Sequence, residues 1–134
     1  MSASWNLQTA LIAALKADAT LQTLLGGARI YDTPPFRARL PYITLGMTLE
    51  RDWSTSTEQG GEHIITFHSW TEMNSRQQAM ALEEAVRDLI ENTSISITGH
   101  ILVNARYQFS EIRRDREGSA YHGIIRYRLV TEPV

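Results

Sequence analysis

The side chains that could do chemistry are the histidines, a cluster of carboxylates near the C-terminus and a few serines. His63 and His68 lie five residues apart in a segment that alternates like a strand. Because alternate residues of a strand point to opposite faces, these two imidazoles cannot bind one metal ion together on a regular strand. The chain has no cysteine, and no histidine and carboxylate have the close spacing of a zinc site. We therefore expect no metal ion, and we expect surface or hydrogen-bonded histidines, including His100 and His122.

A second group of side chains could form a magnesium site, as in a small metal-dependent nuclease. Its carboxylates belong to Glu111, Asp115 and Glu117. Arginines alternate with them: Arg113, Arg114 and Arg116. Interleaved charges of both signs are typical of a solvated hairpin tip or a charged interface, so we favour an interface over a nuclease.

The other patterns do not indicate catalysis. The sequence has no glycine-rich phosphate-binding loop. Ser54, Ser56 and Ser69 lack the strand-turn-helix setting of a hydrolase nucleophile. We predict a protein that is not an enzyme and that has no catalytic residues and no cofactor.

Aromatic and arginine residues indicate two further surfaces. Trp53 borders a polar loop. It is either an exposed anchor for a partner, because tryptophan is enriched at interface hot spots, or a cap on the end of the sheet. Arg106, Arg126 and Arg128 share one parity within each predicted strand. They could bind nucleic acid, or they could pair with glutamates of a neighbouring subunit.

Length and composition narrow the possible classes. A chain of 134 residues predicts one domain, residues 1–134, with a single core. The net charge of −2 and the pI near 6.1 argue against a general nucleic-acid binder, which is usually basic. The sequence has no apolar run of about 20 residues, which a membrane span needs, and its N-terminus lacks the features of a signal peptide. We expect a location in the cytoplasm, or in a structure that is assembled there, and no membrane partner.

The segment from Ser75 to Asn92 gives the strongest helix signal. Ser75 suits an N-cap, and Gln78 completes a capping box with it. Glu83 precedes Arg87 by four residues, the favourable order for an ion pair, and Asn92 suits the left-handed conformation that ends a helix. The apolar residues form one helical stripe: Ala79, Leu82, Val86, Leu89 and Ile90.

Two further helical segments are predicted near the N-terminus. A second apolar stripe consists of Leu7, Ala10, Leu11, Ala14 and Leu15. Asp18 is expected to cap a short turn that ends at Gly26 and Gly27.

The remaining segments alternate like strands. Residues 42–50 are expected to place Ile43, Leu45, Met47 and Leu49 on one face. Residues 62–70 carry apolar side chains on both faces, which indicates a central strand or one covered on both sides. Between them, residues 52–61 are rich in Ser, Thr and Gly and predict a long hairpin loop.

Two long strands are predicted after the central helix. In the first, one face is expected to carry Ile101, Val103, Ala105, Tyr107 and Phe109. Residues 120–131 form the second, and the charged segment 113–118 joins the two through a turn at Gly118.

This order of elements predicts an α+β fold. We expect a mainly antiparallel sheet of about four to five strands, with two main helices packed on it and protruding hairpin loops. Such loops can build rings through head-to-tail contacts. The candidate subunit or partner interface consists of Asp52, Trp53, Glu58, Arg113, Arg114, Asp115, Arg116 and Glu117.

Five segments follow one another in order along nearly the whole chain. An N-terminal amphipathic helix precedes ARIYD at 28–32 and a proline, and LPYITLG follows at 40–46. Next come GEHIITFHSW at 61–70 and a single helix leading to ILV at 101–103. The last is DREG at 115–118 with YHGIIRY at 121–127. In this order and spacing, the segments resemble the tail-completion, or tail-terminator, proteins of long-tailed phages and gene transfer agents.

The resemblance implies a structural virion protein of the tail or neck, assembled in the bacterial cytoplasm. Members of this family form a ring, usually a hexamer, that caps the head-proximal end of the tail tube. The implied partners are other copies of the chain, the tail tube protein and a head-side connector or stopper protein. DNA would pass through the lumen without sequence-specific binding, and the family has no catalytic residues to carry over. Because neighbouring neck proteins share similar folds, a head-closure or neck adaptor protein is the alternative.

Overall fold

The computed structural model describes residues 3–72, 76–115 and 120–134. It contains three helices and five strands. In chain order these are α1 (Ala3–Ala17), α2 (Ala19–Leu25), β1 (Ile30–Tyr31), β2 (Tyr42–Asp52), β3 (Gly61–Glu72), α3 (Arg76–Asn92), β4 (His100–Arg114) and β5 (Ala120–Pro133). The predicted α+β fold and the predicted order of elements are confirmed.

The strands form one sheet in the order β1-β2-β3-β5-β4. Strand β1 runs parallel to β2, and the other neighbours are antiparallel. Strand β3 therefore lies at the centre, as the apolar residues on both of its faces predicted. The C-terminal strand β5 lies between β3 and β4, so the last segment of the chain joins the two hairpins into one sheet.

Helices α1 and α3 pack against one side of the sheet, which we call the helix face, and α2 packs on these two helices. Its inward side chains come from three long strands: Ile43, Leu45, Ile65, Phe67, Ile125, Tyr127 and Leu129. Helix α3 buries the predicted stripe together with Ala85 against this face, and α1 buries Leu7, Leu11 and Leu15. The opposite side of the sheet is the open face, and the described helices leave it uncovered.

The ends of α2 and α3 only partly follow the sequence expectations. Asp18 caps α2 by accepting a 3.0 Å hydrogen bond from the Leu21 amide, and Gly26 ends that helix with a φ of 76°. The proposed cap at Ser75 lies outside the described residues. Asn92 keeps a negative φ, so the prediction of a left-handed end was wrong there. Its amide instead donates to the Asp88 carboxylate at 2.8 Å.

The predicted ion pair of α3 also has a different acid. Arg87 pairs with Glu91 at 3.1 Å, one turn towards the C-terminus, whereas Glu83 accepts a hydrogen bond from the Ser110 hydroxyl on β4. Arg87 also lies 3.7 Å from the centre of the Tyr107 ring. Contacts with β4 therefore decide that Arg87 pairs with Glu91 and not with Glu83.

Three bulges overturn the predicted alternation in β2 and β4. In β2 the register shifts between Leu45 and Thr48, so Leu49 turns to the open face and is 42% exposed. In β4 the register shifts twice, between Leu102 and Asn104 and between Tyr107 and Phe109. Each bulge adds one residue to its strand and reverses the facing of everything beyond it. Ile101 and Phe109 therefore do not share a face with Ala105 and Tyr107.

Candidate functional site

The loop at residues 53–60 extends beyond the last strand pair, Asp52 with Gly61. It is closed by backbone bonds from the Trp53 amide to the Gly60 carbonyl at 2.9 Å and from the Thr55 amide to the Glu58 carbonyl at 2.7 Å. Asp52 accepts a 3.0 Å hydrogen bond from the Ser54 amide, and hydrogen bonding to Ser54 lowers the pKa of its carboxyl group. The loop is thus an ordered, hydrogen-bonded projection, and its Glu58 side chain is exposed.

Trp53 lies at the end of the sheet and is also exposed to solvent. Its ring lies 4.7 Å from the guanidinium carbon of Arg128, so it contacts the open face at the end of the sheet. It is nevertheless 54% exposed. A half-exposed tryptophan that is held by a cation–π contact is already ordered, so it would lose little side-chain entropy if it contacted a partner.

The second candidate hairpin is the tip between β4 and β5. Arg114 pairs with Tyr121 across the strands, and the Asp115 amide donates to the Ala120 carbonyl at 2.8 Å. Arg113 lies 3.7 Å from Glu111 in an exposed ion pair. The two remaining candidates, Arg116 and Glu117, lie outside the described residues.

The two hairpins lie at opposite ends of the sheet. Residue Gly61, at the end of the first hairpin, pairs with Thr131 of β5. The second hairpin is at the other end of β5, where Ala120 pairs with Glu72. The structure therefore does not bring the six described candidates for the interface into one site. It divides them into two sites that are separated by the length of β5.

The open face carries the three arginines whose shared parity the sequence showed. Arg106 and Arg128 lie directly opposite each other on β4 and β5. Arg128 donates to the Glu62 carboxylate at 2.5 Å. Arg126 donates to the Thr66 hydroxyl at 3.2 Å and lies 4.9 Å from the centre of the Phe109 ring. All three lie on the open face because Arg106 pairs directly with Arg128 and β5 has no register shift against β3.

A pair of histidines on the open face was missed by the sequence reasoning. Nδ1 of His68 and Nε2 of His122 are 2.7 Å apart, and the His122 ring stacks on Trp70 with centroids 3.9 Å apart. Burial, the charge of His68 and the charge of Arg113 together lower the pKa of His122 to about 4. Both residues have the parity of the open face, but they are 54 positions apart, so only the pairing of β3 with β5 reveals the contact.

His63 points to the helix face, opposite to His68, as its spacing predicted. Its Nε2 lies 2.9 Å from the Thr131 hydroxyl, whereas its buried Nδ1 has no hydrogen-bond partner. The nearest carboxylate oxygen, on Glu50, is 3.9 Å away. Burial lowers the pKa of His63, with Glu50 opposing this shift. The imidazole is therefore held neutral in the core.

The described residues contain no group of three or more histidine, aspartate or glutamate side chains placed to hold a metal ion. Of the three carboxylates considered for magnesium, Glu111 lies on the open face opposite Ile124. Asp115 follows the end of β4, and Glu117 is outside the described residues. Likewise, no helix in the described ranges is long and apolar enough to cross a membrane.

A protein family and two solved structures match this chain. The family model described as "Tail completion protein gp17" matches residues 9–132. A chain from the virion of a native gene transfer agent particle is 26% identical, with a TM-score of 0.85 over 98% of this chain and 99% of that one. The gp17 protein of bacteriophage SPP1 is 20% identical, with a TM-score of 0.62 over 95% of this chain and 89% of that one, which shows a shared fold. Among curated protein sequences, none matches the chain.

The family match extends over nearly the whole domain and includes the sheet, the helices and the loop at residues 53–60. The family expected from the order of the sequence segments is therefore confirmed. The chain belongs to the gp17 family of tail completion proteins, and it is a structural tail-completion protein.

Proposed function

We propose that this protein forms a ring, expected to be a hexamer, that caps the head-proximal end of a phage or gene-transfer-agent tail tube. Capping would end tube polymerisation and provide a surface for the head-side connector or stopper protein. The observation that carries the proposal is the full-length likeness to a chain of a gene transfer agent virion, at a TM-score of 0.85. In this proposal the protein acts in the virion tail or neck, after assembly in the bacterial cytoplasm, and is not an enzyme.

The position of the two hairpins supports a protein that joins two different partners. One end of the sheet presents Asp52, Trp53 and Glu58, and the other presents Arg113, Arg114 and Asp115. Since the two groups face away from each other along β5, one end of a ring could contact the tube while the other contacts the connector. We assign the predicted interface residues to these two contacts, together with Arg116 and Glu117 of the second tip.

The charge of the chain is compatible with DNA passing through the lumen of such a ring. The net charge of −2 would let phosphates slide, whereas a strongly basic channel would hold them. We therefore expect contact with DNA that is independent of sequence and weak at physiological salt.

The proposal is tested by measuring the mass of the purified protein across concentration, imaging it by negative-stain electron microscopy, and adding it to polymerising tube protein. We expect rings of about six subunits and tubes whose growth stops at a bound ring. Trp53→Ala and Arg114→Ala, at opposite ends of the sheet, should each weaken only one of the two partner contacts. A strict monomer that leaves tube length unchanged would contradict the proposal.

The same experiment separates the alternative functions. Rings that bind the head connector but leave tube growth unchanged would assign the chain to head closure, as a neck adaptor. A nuclease would require magnesium-dependent DNA cleavage that is lost in Asp115→Ala. We expect no DNA cleavage from the wild type or from Asp115→Ala.

A further inference from the structure

The open face has the composition of a protein interface. Its strand positions expose Leu49, Ile101 and Phe109 to solvent, and Trp53 covers one of its edges. Aromatic and arginine side chains are enriched where proteins bind one another. Because the helices cover only the other side of the sheet, a partner that covers this face must come from outside the single chain.

Two like charges that lie opposite each other on the open face favour an anionic partner. Arg106 and Arg128 occupy directly opposed positions on neighbouring strands, where like charges repel and destabilise the sheet. Glu62 pairs with Arg128 at 2.5 Å and with Arg51 at 3.6 Å. Within the described ranges, Arg106 has no ion pair of its own. An anionic group from a partner would therefore remove a repulsion as well as form a new ion pair.

Helix α3 carries the opposite pair on its outer surface. Glu84 and Asp88 are four residues apart and both exposed, and acids at this spacing repel each other on a helix. At about 100° per residue, they lie on the side of α3 that faces away from the buried Leu82. Asp88 accepts a hydrogen bond from Asn92, but in the described part of the chain neither acid forms an ion pair. Met80, one turn earlier, is also exposed.

The arginine pair and the acidic pair have opposite charges and similar spacing. Opposed residues in an antiparallel sheet have Cα atoms about 4.5–5.5 Å apart, and residues four apart on a helix have Cβ atoms about 5–6 Å apart. Each pair is also bordered by exposed apolar side chains, Phe109 on the sheet and Met80 on the helix. We infer that the open face of one copy binds the outer surface of α3 of the next copy, with Arg106 and Arg128 against Glu84 and Asp88.

The geometry requires a head-to-tail contact. The arginine pair and the acidic pair lie on opposite sides of a two-layer body, since α3 packs on the helix face and the arginines lie on the open face. A two-fold dimer cannot use both patches in one interface. Repeated use of one patch against the other produces a closed ring or an open filament. This inference rests on the proposed function, because the proposed ring would be closed by repeats of this contact.

The open face is less suited to DNA. Arg126 and Arg128 are restrained against Phe109 and Trp53, and Glu62 already neutralises part of the charge. Exposed Leu49 and Ile101 would gain nothing from contact with phosphates. A second copy of the chain is therefore the partner whose chemistry fits both the charges and the apolar side chains.

The test uses charge reversal in the full chain. Arg106→Glu and Glu84→Arg alter exposed residues that lack ion pairs in the described structure, and each replaces a like-charge contact within the chain by an opposite-charge one. At a concentration at which the wild type is monomeric, neither variant should therefore melt below the wild type. Each should raise the concentration needed for half-assembly by about tenfold or more, because like charges would then face each other. Lys16→Glu, which makes the same change of charge as Arg106→Glu at an exposed position of α1, is the control and should assemble like the wild type.

Rescue makes the test specific. The double variant Arg106→Glu/Glu84→Arg should assemble within about threefold of the wild type, since every contact again pairs opposite charges. An equimolar mixture of the two single variants should also assemble, into closed rings in which the variants alternate. Mass photometry or native mass spectrometry measures the assembly of the double variant and of the mixture. Failure of both rescues, or a wild type that never self-associates, would overturn the inference.

Other outcomes separate this inference from the proposed function. If the wild type stops tube growth but neither rescue occurs, the ring function stands and the assigned surfaces are wrong. If the rescues occur but tube growth continues, the surfaces are right and the capping function is wrong. If Arg106→Glu weakens binding of a short DNA duplex and leaves assembly unchanged, the open face binds polyanions, which also overturns the inference.

Discussion

Replacement of Leu82 by alanine would test whether α3 is held by its apolar stripe. The Leu82 side chain is 0% exposed and belongs to the core between the helices and the sheet. Leu→Ala removes about 2.4 kcal/mol of transfer free energy, at about 0.8 kcal/mol per methylene equivalent. A cavity that the surrounding strands cannot fill adds to this loss. We expect the free energy of unfolding to fall by about 3–4 kcal/mol, within the range of about 2–5 kcal/mol for such sites.

This loss should be visible in a melting experiment. Unfolding a chain of 134 residues has an entropy of about 0.28 kcal/mol/K, at about 2.1 cal/mol/K per residue, so 3 kcal/mol corresponds to about 10 °C in melting temperature. Differential scanning calorimetry at a protein concentration at which the wild type is monomeric is the appropriate assay, because assembly stabilises the folded chain by mass action.

Met80→Ala provides a matched control from the same helix. Met80 is 51% exposed and lies two residues before Leu82, so its truncation should change the free energy of unfolding by less than about 0.5 kcal/mol. Equal melting temperatures for Leu82→Ala and the wild type would refute the reasoning, since they would show that the stripe does not face the core. Equal losses for both variants would also contradict the packing argument, and helix propensity could not explain them, because alanine is the best helix former.

Three further substitutions and conditions have defined outcomes. Tyr127→Phe should reduce the free energy of unfolding by about 1–2 kcal/mol in urea titrations, because the buried phenol loses its 2.6 Å hydrogen bond to Glu91; an unchanged midpoint would contradict this. Stability should stay constant above about pH 6.5 and fall from there towards pH 4, because the folded pKa of His122 is lowered to about 4 and unfolded histidine titrates near 6.5. His122→Gln should make that part of the pH profile less steep, with the remaining slope due to His63 and His68, whose pKa values burial also lowers. An equally steep fall would exclude His122 as a source. Gly46→Ala should destabilise by about 1–3 kcal/mol, because the added Cβ would clash with the His68 imidazole. That loss should shrink in a His68→Ala background, whereas equal losses in both backgrounds would place the strain elsewhere.

Several local features were predictable because their causes lie within a few residues. The stripe of α3 follows from apolar residues at helical spacing, and Leu82, Val86 and Leu89 are buried where that spacing predicts. The cap at Asp18 and the helix end at Gly26 were predictable for the same reason. The long loop at residues 53–60 follows from a run of residues that favour turns. The family was recognisable from the order of these segments.

Other features depend on pairing between distant segments. The place of β5 between β3 and β4 decides that His122 meets His68 and Trp70, and the sequence positions of these residues do not reveal it. The same pairing opposes Arg106 to Arg128 and separates the two candidate hairpins to opposite ends of the sheet. Contacts of this kind come from strand order, which the alternation within one strand does not encode.

The sequence by itself therefore determined the elements, the fold class and the family, because periodicity, caps and turn residues act over short distances along the chain. Only the tertiary structure decided the facing of Leu49, Ile101 and Phe109, because a bulge forms where two strands adjust their register to each other. It also decided which side of the sheet stays uncovered. The helices have enough apolar surface to bury one face, and the second face, with its arginines and exposed apolar side chains, stays uncovered in the described chain.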